Sequence, residues 1–215
     1  RAPKVFDATG YSMPNGDINA ALTGGDGSAV APLIVPWPDD PDRYFVFHSI
    51  NSGLLYSVVD MQLNNGLGDI DTAHKNILLS GYGSIIGAKY AAVQGCGGLW
   101  LVVRSRVENQ YLSFRITRQG IDPNPVISAC GLLPSVTDYE EPIYSGGRLA
   151  VSPNGKTLAA ATNRGIELYD FERCSGRITN PRIIDTFTFL GLCFSPDNNL
   201  LYASSLENDF TTMEN

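Results

Sequence analysis

The chain has 215 residues, a formal net charge of −7, 43% hydrophobic residues and 17% charged residues. This balance indicates a folded globular protein rather than a disordered chain. The acidic excess argues against nucleic-acid binding and against docking on anionic lipid. No apolar run approaches the roughly 18 residues of a membrane-spanning helix, and 22 glycines and 13 prolines indicate many turns.

A pattern of apolar strand, polar turn and second apolar strand recurs along the chain. In chain order the copies read LIVPWPDDPDRYFVFHS, AAVQGCGGLWLVVRS, LAVSPNGKTLAAAT and LCFSPDNNLLYASS. Anchored on Val35, Val93, Val151 and Phe194, the copies are spaced by 58, 58 and 43 residues. A unit of short strands repeated at about 40–60 residues is typical of β-propeller blades.

Two further strands follow in each of the three complete copies. The third strands are predicted at Leu54–Met61, Gln110–Thr117 and Gly165–Glu172, and the weaker fourth strands at Asn76–Leu79, Pro125–Ser128 and Arg182–Asp185. The strands read as nearly continuous apolar runs, which is expected for sheets covered on both faces. No stretch shows sustained helical spacing, so little helix is expected.

The chain starts and stops within a unit. KVFDATG (Lys4–Gly10) is similar to ELYDFE (Glu167–Glu172) and is predicted to be a third strand, whereas LLYASS ends the chain's last unit at its second strand. The sequence therefore predicts an all-β fold, a partial β-propeller of about four blades' worth. We expect blade fragments at approximately 1–30, 31–85, 86–145, 146–187 and 188–215. We favour an arc of a larger ring; the alternative is a small ring closed by joining the two halves.

Two Ser-Pro turns are the first candidates for chemistry. Their residues are Ser152, Pro153, Asn154 and Gly155 in one turn, and Ser195, Pro196 and Asp197 in the other. Proline presets φ for a turn, and Asn, Asp and Gly tolerate positive φ. A serine nucleophile would need a neighbouring base and an oxyanion hole, but the chain has only two histidines and no GxSxG elbow. We therefore expect structural turns and no catalytic residue.

Metal and phosphate sites are the remaining candidates. His48 near a strand end is expected to be structural and His74 in DIDTAHKN to be solvated, since neither belongs to a ligand cluster. The acidic segments DDPD, GDIDT and GGDGS lack the EF-hand spacing, so no metal or other cofactor is expected and calcium is the alternative. The glycine-rich QGCGG and SGYGS lack a Walker lysine and are expected to be hairpin turns.

Four longer stretches resemble a known family: KVFDATGYSMPNG, YFVFHSINSGLLYSVVDMQLNNGLGDI, LYDFERCSGRITNP and LCFSPDNNLLYASS. They are similar to the seven-bladed, WD-repeat-like propellers in large secreted proteins of Bacteroidetes-type bacteria. Those proteins are often described as gliding-motility-associated, and many carry a sorting domain for type-nine secretion. The resemblance covers most of Lys4–Ser205 and is strongest at Asn64–Asp69, Ser152–Gly155 and Leu168–Pro181. It implies an exported or cell-surface protein without enzymatic activity, whose ring other parts of a longer chain complete.

The four cysteines are Cys96, Cys130, Cys174 and Cys193, with no CxxC pair. Their even number fits disulfides formed in an oxidising compartment, and four free thiols are the alternative. The resemblance places a cysteine in DFERCSG. Because Cys174 follows a third strand and Cys193 lies in the next first strand, a Cys174–Cys193 bridge is the first candidate. A Cys96–Cys130 bridge flanking one blade is the second.

These observations predict a non-catalytic propeller module. It would be a scaffold or recognition surface for protein or glycan partners outside the cell or at its surface. The alternative is a propeller enzyme, such as a lactonase or glycan hydrolase, with its active site at the channel mouth. Adhesion through self-assembly is a third hypothesis, for which the exposed edges of an arc are the only indication.

Overall fold

In the part of the chain that the structure describes, five antiparallel sheets follow one another. The computed structural model describes residues 4–18, 32–50, 53–79, 86–105, 108–131, 148–162, 165–187 and 189–205. The first sheet is a half-blade of β1 (Lys4–Phe6) and β2 (Ser12–Asp17), and the last is a half-blade of β17 (Phe189–Phe194) and β18 (Leu201–Ser205).

Three complete blades lie between the half-blades, each with its strands in sequential order. Blade 1 contains β3 (Leu33–Trp37), β4 (Asp40–Ile50), β5 (Gly53–Asp60), β6 (Asp69–Ile70) and β7 (Ile77–Leu78). Blade 2 contains β8 (Ile86–Gly95), β9 (Gly98–Ser105), β10 (Tyr111–Thr117), β11 (Gly120–Ile121) and β12 (Val126–Ser128). Blade 3 contains β13 (Leu149–Val151), β14 (Thr157–Thr162), β15 (Gly165–Glu172) and β16 (Arg177–Asp185).

The outer strands differ most from the sequence prediction. In blades 1 and 2 the outer strand is split into two short pieces that pair with the same third strand. In blade 3 the outer strand starts at Arg177, not at the predicted Arg182. An irregularity in the strand pairing at Asn180 (φ 55°) lets the strand include Pro181 and pair with β15 on both sides of it. The only helices of the described residues are single 3-10 turns at Asn64–Gly66 and Thr72–His74, and no helix there is long and apolar enough to cross a membrane.

The hydrophobic cores lie between neighbouring sheets, not within one. Phe45 and Phe47 of β4 pack in the core between blades 1 and 2, whereas Val46 belongs to the core toward the first half-blade. In β9, Leu101 faces blade 1 and Val102 faces blade 3. Successive side chains of a strand thus enter different cores, which explains the continuous apolar runs.

Polar contacts also join neighbouring sheets, with a different pair of residues at each junction. Asn15 donates from its backbone and side-chain nitrogens to the Asp69 carboxylate, at 2.9 and 2.7 Å, between the first half-blade and blade 1. The Asn154 backbone N–H donates to Asn198 Oδ1 at 2.8 Å, between blade 3 and the last half-blade. These bonds add directional contacts to the non-directional packing of the cores.

Tryptophan indoles make the corresponding contacts of blade 2. Trp37 Nε1 of blade 1 donates to the Arg118 carbonyl at 3.1 Å, and Trp100 Nε1 of blade 2 donates to the Arg173 carbonyl of blade 3 at 2.9 Å. Both carbonyls belong to the turn that links the third and outer strands. The end of the blades that holds these hairpin turns is called the turn end. The Trp100 ring also packs closely against Gly176.

Gly176→Ala should lower the free energy of unfolding more than Gly66→Ala does. Both glycines have positive φ, 75° and 84°, so alanine is strained at either position by about 1 kcal/mol. A Cβ at Gly176 would lie 2.7 Å from Trp100, whereas nothing lies within 4 Å of a Cβ at Gly66. We expect about 1–3 kcal/mol of additional loss for Gly176→Ala in urea denaturation followed by circular dichroism. Equal losses for the two variants would contradict the close approach of Trp100.

Candidate functional site

The two Ser-Pro turns share one hydrogen-bonding pattern. The Ser152 hydroxyl donates to Asn154 Oδ1 at 2.8 Å and accepts from the Thr157 backbone N–H at 2.9 Å. The Ser195 hydroxyl makes the equivalent bonds: it donates to the Asp197 carboxylate and accepts from the Leu200 backbone N–H. Both serines are buried, and both hydroxyls are fully engaged within their own turns.

Each Ser-Pro turn places its fourth residue in the left-handed region. The residues are Gly155 (φ 70°) and Asn198 (φ 67°), which are types that adopt positive φ at low cost. The turns close through bonds from these two backbone N–H groups to the serine carbonyls, at 2.8 and 3.0 Å. This is the geometry of a structural hairpin turn. Ser152 donates to an amide oxygen, which is not a base, and the bond from Ser195 holds the pKa of the Asp197 carboxyl below its ordinary value, which makes it a weak base.

The two histidines have different surroundings. His48 is buried on β4, 3% exposed. His74 is exposed, and its Nδ1 lies 2.7 Å from Oδ2 of Asp71. The other carboxylate oxygen of Asp71, Oδ1, accepts from the Ala73 N–H and caps the 3-10 turn. The hydrogen bond from His74 holds the pKa of the Asp71 carboxyl below its ordinary value. No group of three or more candidate metal-ligating side chains occurs among the described residues.

The acidic segments take part in separate local contacts. Arg43 Nε lies 3.7 Å from Asp40 and 3.5 Å from Asp60, and Asp42 accepts a bond from the Gln62 amide at 2.8 Å. The segments GGDGS and SGYGS lie outside the described residues, while QGCGG forms the turn between β8 and β9. The absence of a bound metal therefore stays a prediction, with calcium as its alternative.

The disulfide differs from both candidate pairings. Cys96, in the β8–β9 turn of blade 2, is bonded to Cys174 in the β15–β16 turn of blade 3, with 4.8 Å between the Cα atoms. Cys130 and Cys193 are free thiols, so neither Cys174–Cys193 nor Cys96–Cys130 forms. The expected pairings followed chain order, but face-to-face packing brings turns of neighbouring blades together. The Cys96 N–H accordingly donates to the Arg173 carbonyl at 3.2 Å.

Charged and phenolic side chains meet in the core between blades 2 and 3, away from the turn end. We call Arg104, Tyr111, Cys130, Glu167 and Tyr169 the interblade cluster. Tyr169 donates its hydroxyl to Glu167 Oε2 at 2.6 Å, and Arg104 Nη2 lies 3.4 Å from the same oxygen. The Tyr111 and Tyr169 rings meet edge to face at 4.9 Å. Arg104 and Tyr111 are placed together because they are directly paired on β9 and β10.

Four of the five side chains of the interblade cluster are almost sealed from solvent, and Cys130 is half-buried. Glu167 is 1% exposed, Arg104 is 5% exposed and both tyrosines are fully buried. Burial raises the pKa of both phenols above the ordinary tyrosine value, and for Tyr169 the neighbouring Tyr111 and the bond to Glu167 add to the rise. Burial also raises the pKa of the Cys130 thiol to about 11. The phenols and the thiol are therefore protonated at neutral pH, and such a thiol is a poor nucleophile.

This arrangement is suited to holding two blades in register. A buried carboxylate needs a cationic or hydrogen-bonding partner. Glu167 finds the cation, Arg104, across the junction and the hydrogen-bond donor, Tyr169, on its own strand. Sequence reasoning missed the cluster, although a signal was present: Arg104 is the one charge in LWLVVRS, and Glu167 is the first of three acidic residues in GIELYDFE, in strands predicted to be buried on both faces. Such a charge requires a partner from a neighbouring sheet, but its position along the strand does not name the partner.

The fold is similar to solved propellers. A candidate 6-phosphogluconolactonase from Bacteroides fragilis gives a TM-score of 0.52 at 12% identity, covering 81% of this chain and 48% of that one. Another candidate 6-phosphogluconolactonase, from Bacteroides uniformis, gives a TM-score of 0.41 at 15% identity, covering 81% of this chain and 64% of that one. The β-propeller domain of Cps50 (Swd1) from Myceliophteria thermophila gives a TM-score of 0.43 at 16% identity, covering 92% of this chain and 57% of that one. No family model matches the sequence, and no curated protein sequence does.

The likeness to the Bacteroides fragilis structure confirms the predicted β-propeller fold. At 12% identity it shows the fold alone. The chain spans about half the length of that structure, 48%, which agrees with three complete blades and two half-blades as a partial ring.

Alkylation under denaturing, non-reducing conditions should label two thiols, and reduction should raise the number to four. Intact mass measures both states. Because the Cys96–Cys174 bridge closes a sequence separation of 78 residues, its reduction should lower the free energy of unfolding by about 4 kcal/mol. Cys193→Ser is the control: it should remove one free thiol and leave the bridge intact. Four labelled thiols before reduction would contradict the assignment.

Glu167→Gln should destabilise the chain by about 3–5 kcal/mol, because it leaves the Arg104 charge buried without its carboxylate. Replacing both Arg104 and Glu167 by methionine removes both charges and should restore most of that loss. Urea denaturation of Arg104→Met, Glu167→Met and the double variant gives the coupling energy by a double-mutant cycle. Additive losses would show that the two side chains do not interact across the junction.

Proposed function

We propose that this chain is a non-catalytic propeller module that serves as a scaffold or recognition surface for protein or glycan partners. One observation carries the proposal: the serines of the two Ser-Pro turns and the buried ion pair of the interblade cluster are engaged in internal contacts. Ser152 and Ser195 satisfy their own turns, and Arg104 and Glu167 satisfy each other inside the core. Recognition would then fall to exposed side chains of the turns and connections, as is common for surface loops on a rigid scaffold.

We also propose that the protein acts at the cell surface or outside the cell. The Cys96–Cys174 bridge supports an oxidising environment. The resemblance to secreted, gliding-motility-associated propellers of Bacteroidetes-type bacteria suggests export by type-nine secretion. In this proposal other parts of a longer chain complete the ring, with half-blades at both ends of the arc supplying the joining strands.

The alternative is a propeller enzyme of lactonase or glycan hydrolase type. Its support is the described activity of the Bacteroides fragilis structure, a candidate 6-phosphogluconolactonase. In that case the active site would lie at the channel mouth and would need acid–base residues that titrate near neutral pH. The protonated phenols and thiol of the interblade cluster do not meet that requirement.

Two assays on the same preparation separate these functions. Sugar lactones and a panel of glycans are offered as substrates, with and without added calcium, and the protein is then screened against arrays of glycans and surface proteins. We expect no turnover above buffer and saturable binding to at least one partner. Heat-unfolded protein is the control for both assays. Saturable turnover proportional to protein concentration would contradict the proposal.

A further inference from the structure

The cations of the chain are unevenly paired. Lys4, Arg43, Arg104 and Arg182 form ion pairs with nearby carboxylates. Five cations at the turn end of blades 2 and 3 take part in no ion pair of the described chain, and we call them the basic turn surface. They are Arg115, Arg118, Lys156, Arg173 and Arg177.

The basic turn surface is a positive region on an acidic protein. Its cations come from the β10–β11, β13–β14 and β15–β16 turns and the strand residues beside them, whose further charges are Asp122, Asp170 and Glu172. Asp170 is paired with Arg182 of the same strand pair. The five cations and the two carboxylates outside that ion pair give a local net charge of +3, in a chain whose net charge is −7. Four of the five cations are exposed and Arg173 is half-buried, so the surface is open to solvent.

Two of its guanidinium groups are held in place. Arg173 Nε donates to the Gln94 carbonyl at 2.8 Å. Arg115 lies over the Trp100 ring, 6.0 Å from its centroid, with Nη2 3.4 Å from the Gly97 carbonyl. A guanidinium has five N–H donors, so both keep donors for a ligand. Groups fixed before binding lose less conformational entropy when a ligand arrives.

Blade 1 contains the same stacking motif in a neutralised form. Arg43 lies over the Trp37 ring at 5.6 Å, but its Nε is flanked by Asp40 at 3.7 Å and Asp60 at 3.5 Å. The stack alone therefore does not create a positive surface. Blades 2 and 3 differ from blade 1 in having cations at this end without paired carboxylates.

We propose that the basic turn surface binds an anionic polysaccharide through its carboxylate or sulfate groups. Guanidinium forks match planar and tetrahedral oxyanions with paired hydrogen bonds, and cations on two adjacent blades can contact successive charged sugars. This inference rests on the proposed recognition role and specifies the ligand class and the face that binds it.

The geometry of the turn end favours a polysaccharide over an acidic peptide. Extended peptides commonly gain affinity from main-chain bonds to an exposed strand edge. The described strands reach this end tip-first and present hairpin turns, and the edge strand β16 contributes only its first residue, Arg177, to the basic turn surface. A repeating anionic polymer needs only charges distributed along the surface.

Binding of the full chain to immobilised polymers tests the proposal. Polygalacturonate offers carboxylates and dextran sulfate offers sulfates, while neutral dextran and poly-glutamate are comparators. We expect binding to at least one charged polysaccharide, none to dextran, and weaker binding as salt screens the charges. Which of the two charged polysaccharides binds identifies the recognised group.

Matched variants locate the binding. The double variant Arg118→Gln, Lys156→Gln changes two exposed side chains that form no ion pair with the described residues. It should weaken binding about fivefold. Adding Arg115→Gln and Arg173→Gln should abolish it. Arg43→Gln is the control, because it removes the same kind of stacked arginine from the neutralised site and should leave binding unchanged. Circular dichroism verifies that every variant is folded.

Three results would overturn the inference: no binding to either charged polysaccharide, binding to poly-glutamate that is equal or stronger, or equal weakening by Arg43→Gln. These failures differ from failure of the proposed function. A partner captured in the array screen at another surface would sustain the recognition role while this inference fails. Catalytic turnover would refute the recognition role whatever the polymers do.

Discussion

Face-to-face packing of successive sheets is the constraint on which the rest of this structure depends. Each complete blade has a neighbour on both faces, so alternate side chains of one strand enter two different cores. Apolar residues can therefore follow one another without interruption, as Phe45, Val46 and Phe47 do. The same packing makes every interior polar group costly unless the adjacent sheet supplies its partner.

The two ends of the junction between blades 2 and 3 meet this requirement in different ways. At the turn end, short hairpins approach closely, and the contacts are a disulfide and an indole bond to a carbonyl. Away from the turns, the side chains are long, and the contact is the Arg104–Glu167 pair with its tyrosine donor. Because the contacts differ from one junction to the next, each blade has features that distinguish its proper neighbour. Buried polar pairs serve this purpose in other systems.

The division between buried and exposed charge also organises the functional proposal. Charges inside the junction are neutralised locally and are unsuited to recognising an external partner. Charges at the turn end of blades 2 and 3 are exposed, and two of the arginines are positioned by carbonyl groups of the hairpin between β8 and β9. In the proposed function, an arc that presents oriented cations would serve as a scaffold for recognition without any requirement for motion or catalysis.

The amino-acid sequence by itself determined the first three strands of each complete blade, their order and the repeated hairpin, since these depend on residues close together in the chain. The period of the repeat, the run GIELYDFE for β15 and the equivalent glycine and asparagine at positive φ in the Ser-Pro turns are all local features. Only the tertiary structure decided which residues meet across a junction. Trp100 and Arg173 are 73 residues apart, and Cys96 and Cys174 are 78 residues apart. Such pairs depend on how two separately formed sheets are rotated and stacked. Local propensity does not encode that geometry, so the disulfide and the interblade cluster could not be predicted from it.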